Sequence, residues 1–382
     1  MSPLSHRERV LAVLNHETPD RLPVDFGGSP ATGINLLAYQ RLKRHLGLPG
    51  PVRVQNERSI LALPDDAVFE LFDVDLRLVL AYTAEDSRSR GLFDEAALAR
   101  EAEYTDVWGV VRRRPPNGHY YVVRAPFEKE DPTLADLDAH PWPSSAHPDA
   151  PGLKREAERL RRETDCALLV HMPGRLFSLG QFMCGFENWL VQLKVNPDFC
   201  EALLDRGLEI QLAMAQQMLE AIGDTVDILY LADDYGMQTG PLISPPLFRR
   251  IFKPRMTRLI QFFKTRSRAH IAFHSCGSVY ALVPDFIDAG VELLNPIQVS
   301  AADMDTGRLR REFGHRIAFW GAVDSHQVLP HGTPAQVRSE VSRRVQDLGS
   351  GYIPYSVHNI QAEVPPENIL AMIDAVRTAR PN

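Results

Sequence analysis

From about residue 155 to the end of the chain, short apolar runs alternate with longer stretches of helical periodicity. Apolar runs at 167–172, 226–231, 271–273, 291–294, 317–320 and 352–354 predict strands. Between them, residues 182–195, 198–222, 245–266, 306–313, 334–348 and 366–379 predict helices, and a further helix runs through 287. Gly223 ends the long helix at 198–222, and a proline starts the one at 245–266. Strands that alternate with helices imply parallel βαβ units. The α/β pattern is expected to close as a (β/α)8 TIM barrel with an N-terminal extension, the whole of 1–382 forming one domain.

The first 150 residues have a different texture. They are rich in prolines and polar turns and predict an irregular N-terminal part. Within it, residues 5–15 read as a short amphipathic helix with Ser5 as N-cap and Val10, Leu11 and Leu14 on one face. A short apolar run in PDRLPVDFGG (19–28) leads into glycines. Residues 104–114 and 118–127 read as the two strands of a hairpin around PPNG, and 134–152 reads as loop.

Composition excludes several classes. Hydrophobic residues make up 44% of the 382 residues and charged residues 24%, an ordinary globular balance with ample material for a core. The net charge of −7 gives no global basic field for nucleic acid or an anionic membrane. Cys166, Cys184, Cys200 and Cys276 are too few for a disulfide framework and read as free thiols of a cytoplasmic protein. No signal peptide, membrane span, GxGxxG or GxxxxGK[ST] loop is present in these residues.

In a parallel barrel the chemistry gathers where strands run into loops. After VDILYL come Asp233, Asp234, Tyr235 and Gln238; after IAF come His274, Ser275, Cys276 and Gly277. Gln298 follows VELLNP, Asp324 follows Trp320, and His358, Asn359 and Gln361 follow the last run. Residues i and i+2 of an extended segment point the same way, so His274 and Cys276 can bind one metal. Zinc accepts nitrogen and sulfur ligands and in catalytic sites keeps one position open. His358 is the expected third ligand. Asp234, Asp324 and Gln298 are the candidate catalytic groups. Tyr235, Gln238, Trp320, Asn359 and Gln361 are the candidate substrate-binding groups. For each a plainer role exists: adjacent aspartates cap helices, Asp324 is placed to cap the next one, and glutamines are common on surfaces. Cys166, Cys184 and Cys200 read as packing residues. Residues 112–114 read as a solvated strand face.

Taken in order, RERVLAVLNHETPDRLPV (7–24), HSCG (274–277), FWGAVD (319–324) and HNIQAEVPPENILAMIDAV (358–376) resemble the uroporphyrinogen decarboxylase superfamily. The resemblance implies a TIM barrel and a homodimer. It also implies one of two activities. True decarboxylases carry an R-Q-A-G-R motif after the first strand, where this chain reads DFGGSPATG (25–33) without arginine or glutamine. An octacarboxylate substrate would find no cationic partners there. The family's essential aspartate corresponds loosely to Asp73 or Asp75. The methyltransferase branch carries an H-x-C zinc motif, matched by His274 and Cys276, with His358 where that branch has a later cysteine. This resemblance implies zinc-dependent methyl transfer between cobalamin on a corrinoid partner protein and a small-molecule or thiol substrate. No D-x-H-x-x-G corrinoid motif occurs in these residues, so the corrinoid belongs to a separate chain. The alternative is a cofactor-free decarboxylase using Asp75 or Asp234. A third expectation is a barrel that binds a metabolite without turnover.

Overall fold

The computed structural model describes residues 3–80 and 91–380. Three short strands, β1 (Ile34–Asn35), β2 (Arg53–Asn56) and β3 (Leu61–Leu63), form an antiparallel sheet in the order β1-β3-β2. Strand β4 (Leu76–Val79) follows. A second antiparallel sheet holds β5 (Ala102–Thr105), β6 (Val111–Arg114) and β7 (Tyr121–Arg124). The remaining strands are β8 (Ala167–His171), β9 (Ile228–Ala232), β10 (His270–His274), β11 (Leu293–Asn295), β12 (Ala318–Val323) and β13 (Tyr352–Ser356). With β4 they make a seven-stranded parallel sheet in the order β13-β12-β11-β10-β9-β8-β4.

Every neighbour in this sheet is also the next parallel strand along the chain, and helices fill the connections. The fold is a curled parallel α/β sheet of the TIM-barrel kind. Among the described residues seven strands are hydrogen-bonded, where eight were expected. Residues 22–26 form no regular ladder. They reach β4 through the Asp75 N–H, which donates to the Val24 carbonyl at 2.8 Å, and β12 through Trp320 Nε1, which donates to Asp25 at 2.9 Å.

The strands are apolar almost without interruption because both faces are covered. β9 (ILYLA), β12 (AFWGAV) and β13 (YIPYS) are buried nearly throughout, the signature of a parallel sheet packed between side chains and helices.

Three expectations about the elements need correction. The first 150 residues are not an irregular extension, since β4 belongs to the main sheet and pairs with β8 from Leu76–Ala167 to Val79–Val170. The hairpin has three strands: 104–114 is broken by a turn in which the Asp106 side chain accepts the Trp108 and Val110 N–H groups. The segment 134–152 contains the helix Leu134–Ala139, capped by Thr133, and the start of the helix Ala150–Glu163.

Two helices also differ from the pattern. The expected helix at 182–195 is two helices, Phe177–Cys184 and Phe186–Val195, divided at Gly185 with φ 80°. The helix at 245–266 passes through a π turn, Phe248–Phe252, just before Pro254. A proline inside a helix has no N–H to donate and crowds the carbonyl four residues back, so the backbone loosens there.

The N-terminal helix His6–Leu14, closed by a Ser5–Glu8 capping box, is riveted to the strand starts by charge. Arg9 and Arg21 both pair with Asp75, whose side chain is fully buried. His6 spans Asp73 at 2.9 Å and Asp165 at 2.6 Å. Burial lowers the His6 pKa, but the hydrogen bonds to the two carboxylates raise it further, above the ordinary histidine value. This contribution is fully present below the unfolded value and is lost as pH rises through the raised folded value. Replacing His6 by Asn is expected to cost about 0.5–1 kcal/mol near pH 6, in line with part-exposed ion pairs, and almost nothing near pH 8.5. Urea unfolding of both proteins at the two pH values checks this; an equal cost at both would refute the linkage.

Candidate metal centre

Parallel register brings the strand ends into one line. His274 lies opposite Ala232 of β9 and Asn295 of β11. Asn295 is fully buried, and its Oδ1 lies 2.7 Å from His274 Nδ1. The same oxygen accepts the Tyr230 hydroxyl at 3.2 Å. An amide oxygen accepts only, so His274 carries its proton on Nδ1 and presents a lone pair at Nε2. That Nε2 faces Cys276 Sγ at 3.3 Å and Asp234 Oδ1 at 3.6 Å. His358, from the end of β13, closes the group, its ring centroid 5.4 Å from that of His274. One donor atom each from His274, Cys276 and His358 lies within 4.8 Å of the other two.

The approach of the two loops depends on glycine. A Cβ on Gly277 would meet Gly236 and Met237 backbone atoms at 2.5–2.8 Å, and one on Gly236 would meet the Cys276 carbonyl oxygen at 2.4 Å. Gly277 also has φ +86°, a conformation that L side chains rarely adopt. The loops after β9 and β10 therefore touch backbone to backbone, and the Asp234 carboxylate accepts the Cys276 N–H at 2.8 Å. Gln298 holds the next residue, its Oε1 accepting the Gly277 N–H at 2.8 Å.

The donors suit a soft divalent cation. Burial, with a smaller contribution from the nearby His274, pushes the His358 pKa down to about 4, so the imidazole is neutral near pH 7. Burial and the Asp234 carboxylate push the Cys276 thiol well above its ordinary value. Such a thiol is ionised only when a cation binds it. Two imidazole nitrogens and one sulfur are a donor set of the kind zinc accepts.

The structure sorts the other candidates. Asp233 faces inward from the neighbouring position, and its carboxylate accepts N–H groups from Leu176, Phe177 and Ser178 and the Ser178 hydroxyl, at 2.6–2.9 Å. It caps the helix Phe177–Cys184. Asp324 accepts the His326 and Gln327 N–H groups at 2.7 and 2.8 Å and is a turn cap. Gln298 positions the HSCG loop. Tyr235 is fully buried among Phe177, Phe248, Phe252 and Phe286 and belongs to the core. Gln238 is exposed, and only its backbone is engaged, to Ala302. Trp320 is fully buried and donates to Asp25. Asn359 accepts the Gly33 N–H at 2.7 Å and ties the last loop to the N-terminal segment, while Gln361 donates to the Asn359 carbonyl within that loop. Arg112 and Arg114 are buried, not solvated. Cys166, Cys184 and Cys200 are buried packing thiols.

Four residues were not singled out in the sequence. Asn295 ends its strand, and its register against His274 was the available signal. Tyr230 and His171 sit inside apolar runs, where nothing marks them. Asp25 stands in the DFGG stretch and is buried beneath the mouth. Burial, partly offset by hydrogen bonds from Gly28, Thr32 and Trp320, leaves its pKa raised to about 7.

The description "Uroporphyrinogen decarboxylase (URO-D)" matches residues 126–379. A uroporphyrinogen decarboxylase of Pseudomonas fluorescens Pf-5 is 26% identical over 259 residues, covering 65% of this chain and 70% of that one. A methylcobamide:CoM methyltransferase, MtaA, of Methanosarcina barkeri is 26% identical over 212 residues, covering 54% of this chain and 55% of that one. A solved methyltransferase from Methanosarcina mazei superposes with a TM-score of 0.63 over 98% of both chains at 20% identity, which shows a common fold.

The two neighbouring aspartates should separate cleanly. Asp233→Asn is expected to lower stability by roughly 2–4 kcal/mol, because it weakens a buried, four-donor cap. Asp234→Asn, on a half-exposed side chain, is expected to stay within about 1 kcal/mol of the parent. Urea unfolding measures both; equal losses would mean that the division of roles is wrong.

Proposed function

Because this chain belongs to the uroporphyrinogen decarboxylase family, whose relatives here include both decarboxylases and methyltransferases, we propose that it is a zinc-dependent methyltransferase. In this proposal it works with a corrinoid-carrying partner protein and moves a methyl group to or from a small-molecule or thiol substrate. The observation that carries the proposal is the convergence of His274, Cys276 and His358 on one point at the strand ends. When bound, zinc would supply a Lewis-acid position at which a thiol ionises near neutral pH.

The chain's own residues prepare that position. Asn295 holds the His274 tautomer and ring plane from β11, the arrangement by which a second group orients a metal-binding imidazole. Tyr230 packs against His274 with centroids 6.1 Å apart and donates to the same amide oxygen, so the imidazole is held from the side and from behind. Asp234 is half-exposed, and its anchored oxygen stands 3.6 Å from His274 Nε2. It can accept a proton from a group arriving at the open position.

The decarboxylase alternative is weakened for Asp73 and Asp75 by where they lie, while Asp234 does stand at the mouth. Asp75 is locked between Arg9 and Arg21 at the strand starts, and Asp73 pairs with His6 and Arg21 there. Neither is at the mouth. The 25–33 stretch is closed by its own hydrogen bonds, Asp25 to Gly28 and Ser29 to Thr32, and offers no cation for an octacarboxylate.

Protein purified without chelator should hold about one zinc per chain, matching a three-ligand site. His274→Ala/Cys276→Ala should lose it. Asn295→Ala should keep all three ligands yet bind zinc about 10–100-fold more weakly. Competition with a chromophoric chelator reads these affinities. Failure of the parent to bind zinc, even when it is supplied, would overturn the proposal and return weight to a metal-free decarboxylase.

A further inference from the structure

Beside the three-donor group lies a cavity of about 400 Å³, at the ends of β4 and β8 and beneath the β5–β7 sheet. That volume is within the ordinary range for small-molecule sites, near its lower end. Trp108, Leu179, Phe182 and Met214 supply apolar wall. His171, the last residue of β8, also lines it. The His171 ring lies 5.7 Å from Tyr230, and Tyr230 lies 6.1 Å from His274. Two aromatic contacts thus separate the cavity from the donor group.

The charge of the wall is one-sided. Among the described residues it carries three arginines, Arg58, Arg112 and Arg175, and a single carboxylate, Asp106. Arg112 is committed to that carboxylate at 3.0 Å and lies over the Phe182 ring. Arg58 and Arg175 face the cavity in addition to contacts they already make within the chain. Burial above all, with smaller contributions from Arg175, Arg58 and His274, brings the His171 pKa down to about 3.

We propose that this cavity is the substrate pocket and that it takes a small molecule with one anionic group on an apolar body of about one ring, rejecting methylammonium compounds. As a substrate assignment it rests on the methyl-transfer proposal. Arginine pairs with carboxylate, sulfonate or phosphate oxygens through directed hydrogen bonds. A quaternary ammonium needs open aromatic faces or carboxylates. Here the Phe182 face in the wall is already covered by the Arg112 guanidinium, with that of Arg175 5.9 Å from its centroid. Repulsion between like charges grows as water is excluded, so a cationic methyl donor is disfavoured in the same pocket that favours an anion.

Calorimetric titration of the full chain with three probes of similar size tests this: 4-methoxybenzoate, neutral anisole and phenyltrimethylammonium. The anion should bind at least about 10-fold more tightly than anisole, and the cation most weakly. Arg58→Gln and Arg175→Gln should each weaken 4-methoxybenzoate several-fold or more and leave anisole unchanged. Equal binding of the anion and the cation by the parent chain would overturn the proposal without any variant. Zinc binding without anion preference would sink the substrate class alone; anion preference without zinc would sink the methyl-transfer proposal alone.

Discussion

The site depends above all on the register of a parallel sheet. In parallel strands the ladder fixes which residue stands beside which, and here His274 stands between Ala232 and Asn295. A one-residue slip would turn His274 to the other face and replace Asn295 by an apolar neighbour. The imidazole's tautomer, the approach of Cys276 and the position of Asp234 all follow from that alignment. The close contact of Gly236 and Gly277 then converts alignment along the sheet into contact between two loops.

Carboxylates show how the fold divides its labour. Asp75, Asp73 and Asp165 lie at the strand starts and bind the N-terminal helix through Arg9 and His6 and the segment after it through Arg21. Asp227 does the same for Arg7 and Arg161. These groups hold the frame. At the opposite ends Asp233 and Asp324 are consumed by backbone N–H groups, and Asp25 by Gly28 and Trp320. Asp234 alone among these keeps a half-exposed carboxylate beside the donor group.

The two activities represented among the relatives make different demands on the same mouth. A polycarboxylate needs many cations around a wide opening, and a metal-assisted transfer needs a few soft donors beside a modest pocket. In this chain the donors sit at the ends of β10 and β13, and the cavity arginines among the described residues come from the β2–β3 connection, β6 and the β8 end, with none in the 25–33 stretch. That distribution is the physical ground for preferring methyl transfer of a small substrate.

The sequence by itself determined the order of parallel strands from 167 onward and the trio His274, Cys276 and His358. Apolar runs bounded by helical periodicity, and an i,i+2 pair at a strand end, are local signals. It also held the family motifs at both ends of the chain. Tertiary structure decided the rest. β4 is four residues long and looks like loop until its pairing with β8 is known. Asp233 and Asp234 are equivalent on paper, and only the helix packed above Asp233 claims its carboxylate. Tyr235, Trp320, Gln298 and Asn359 have polar groups whose partners lie tens to hundreds of residues away, in Phe177, Asp25, Gly277 and Gly33. A side chain's role at a strand end is set by which neighbour satisfies it, and that neighbour is chosen by packing across the sheet, which no local pattern encodes.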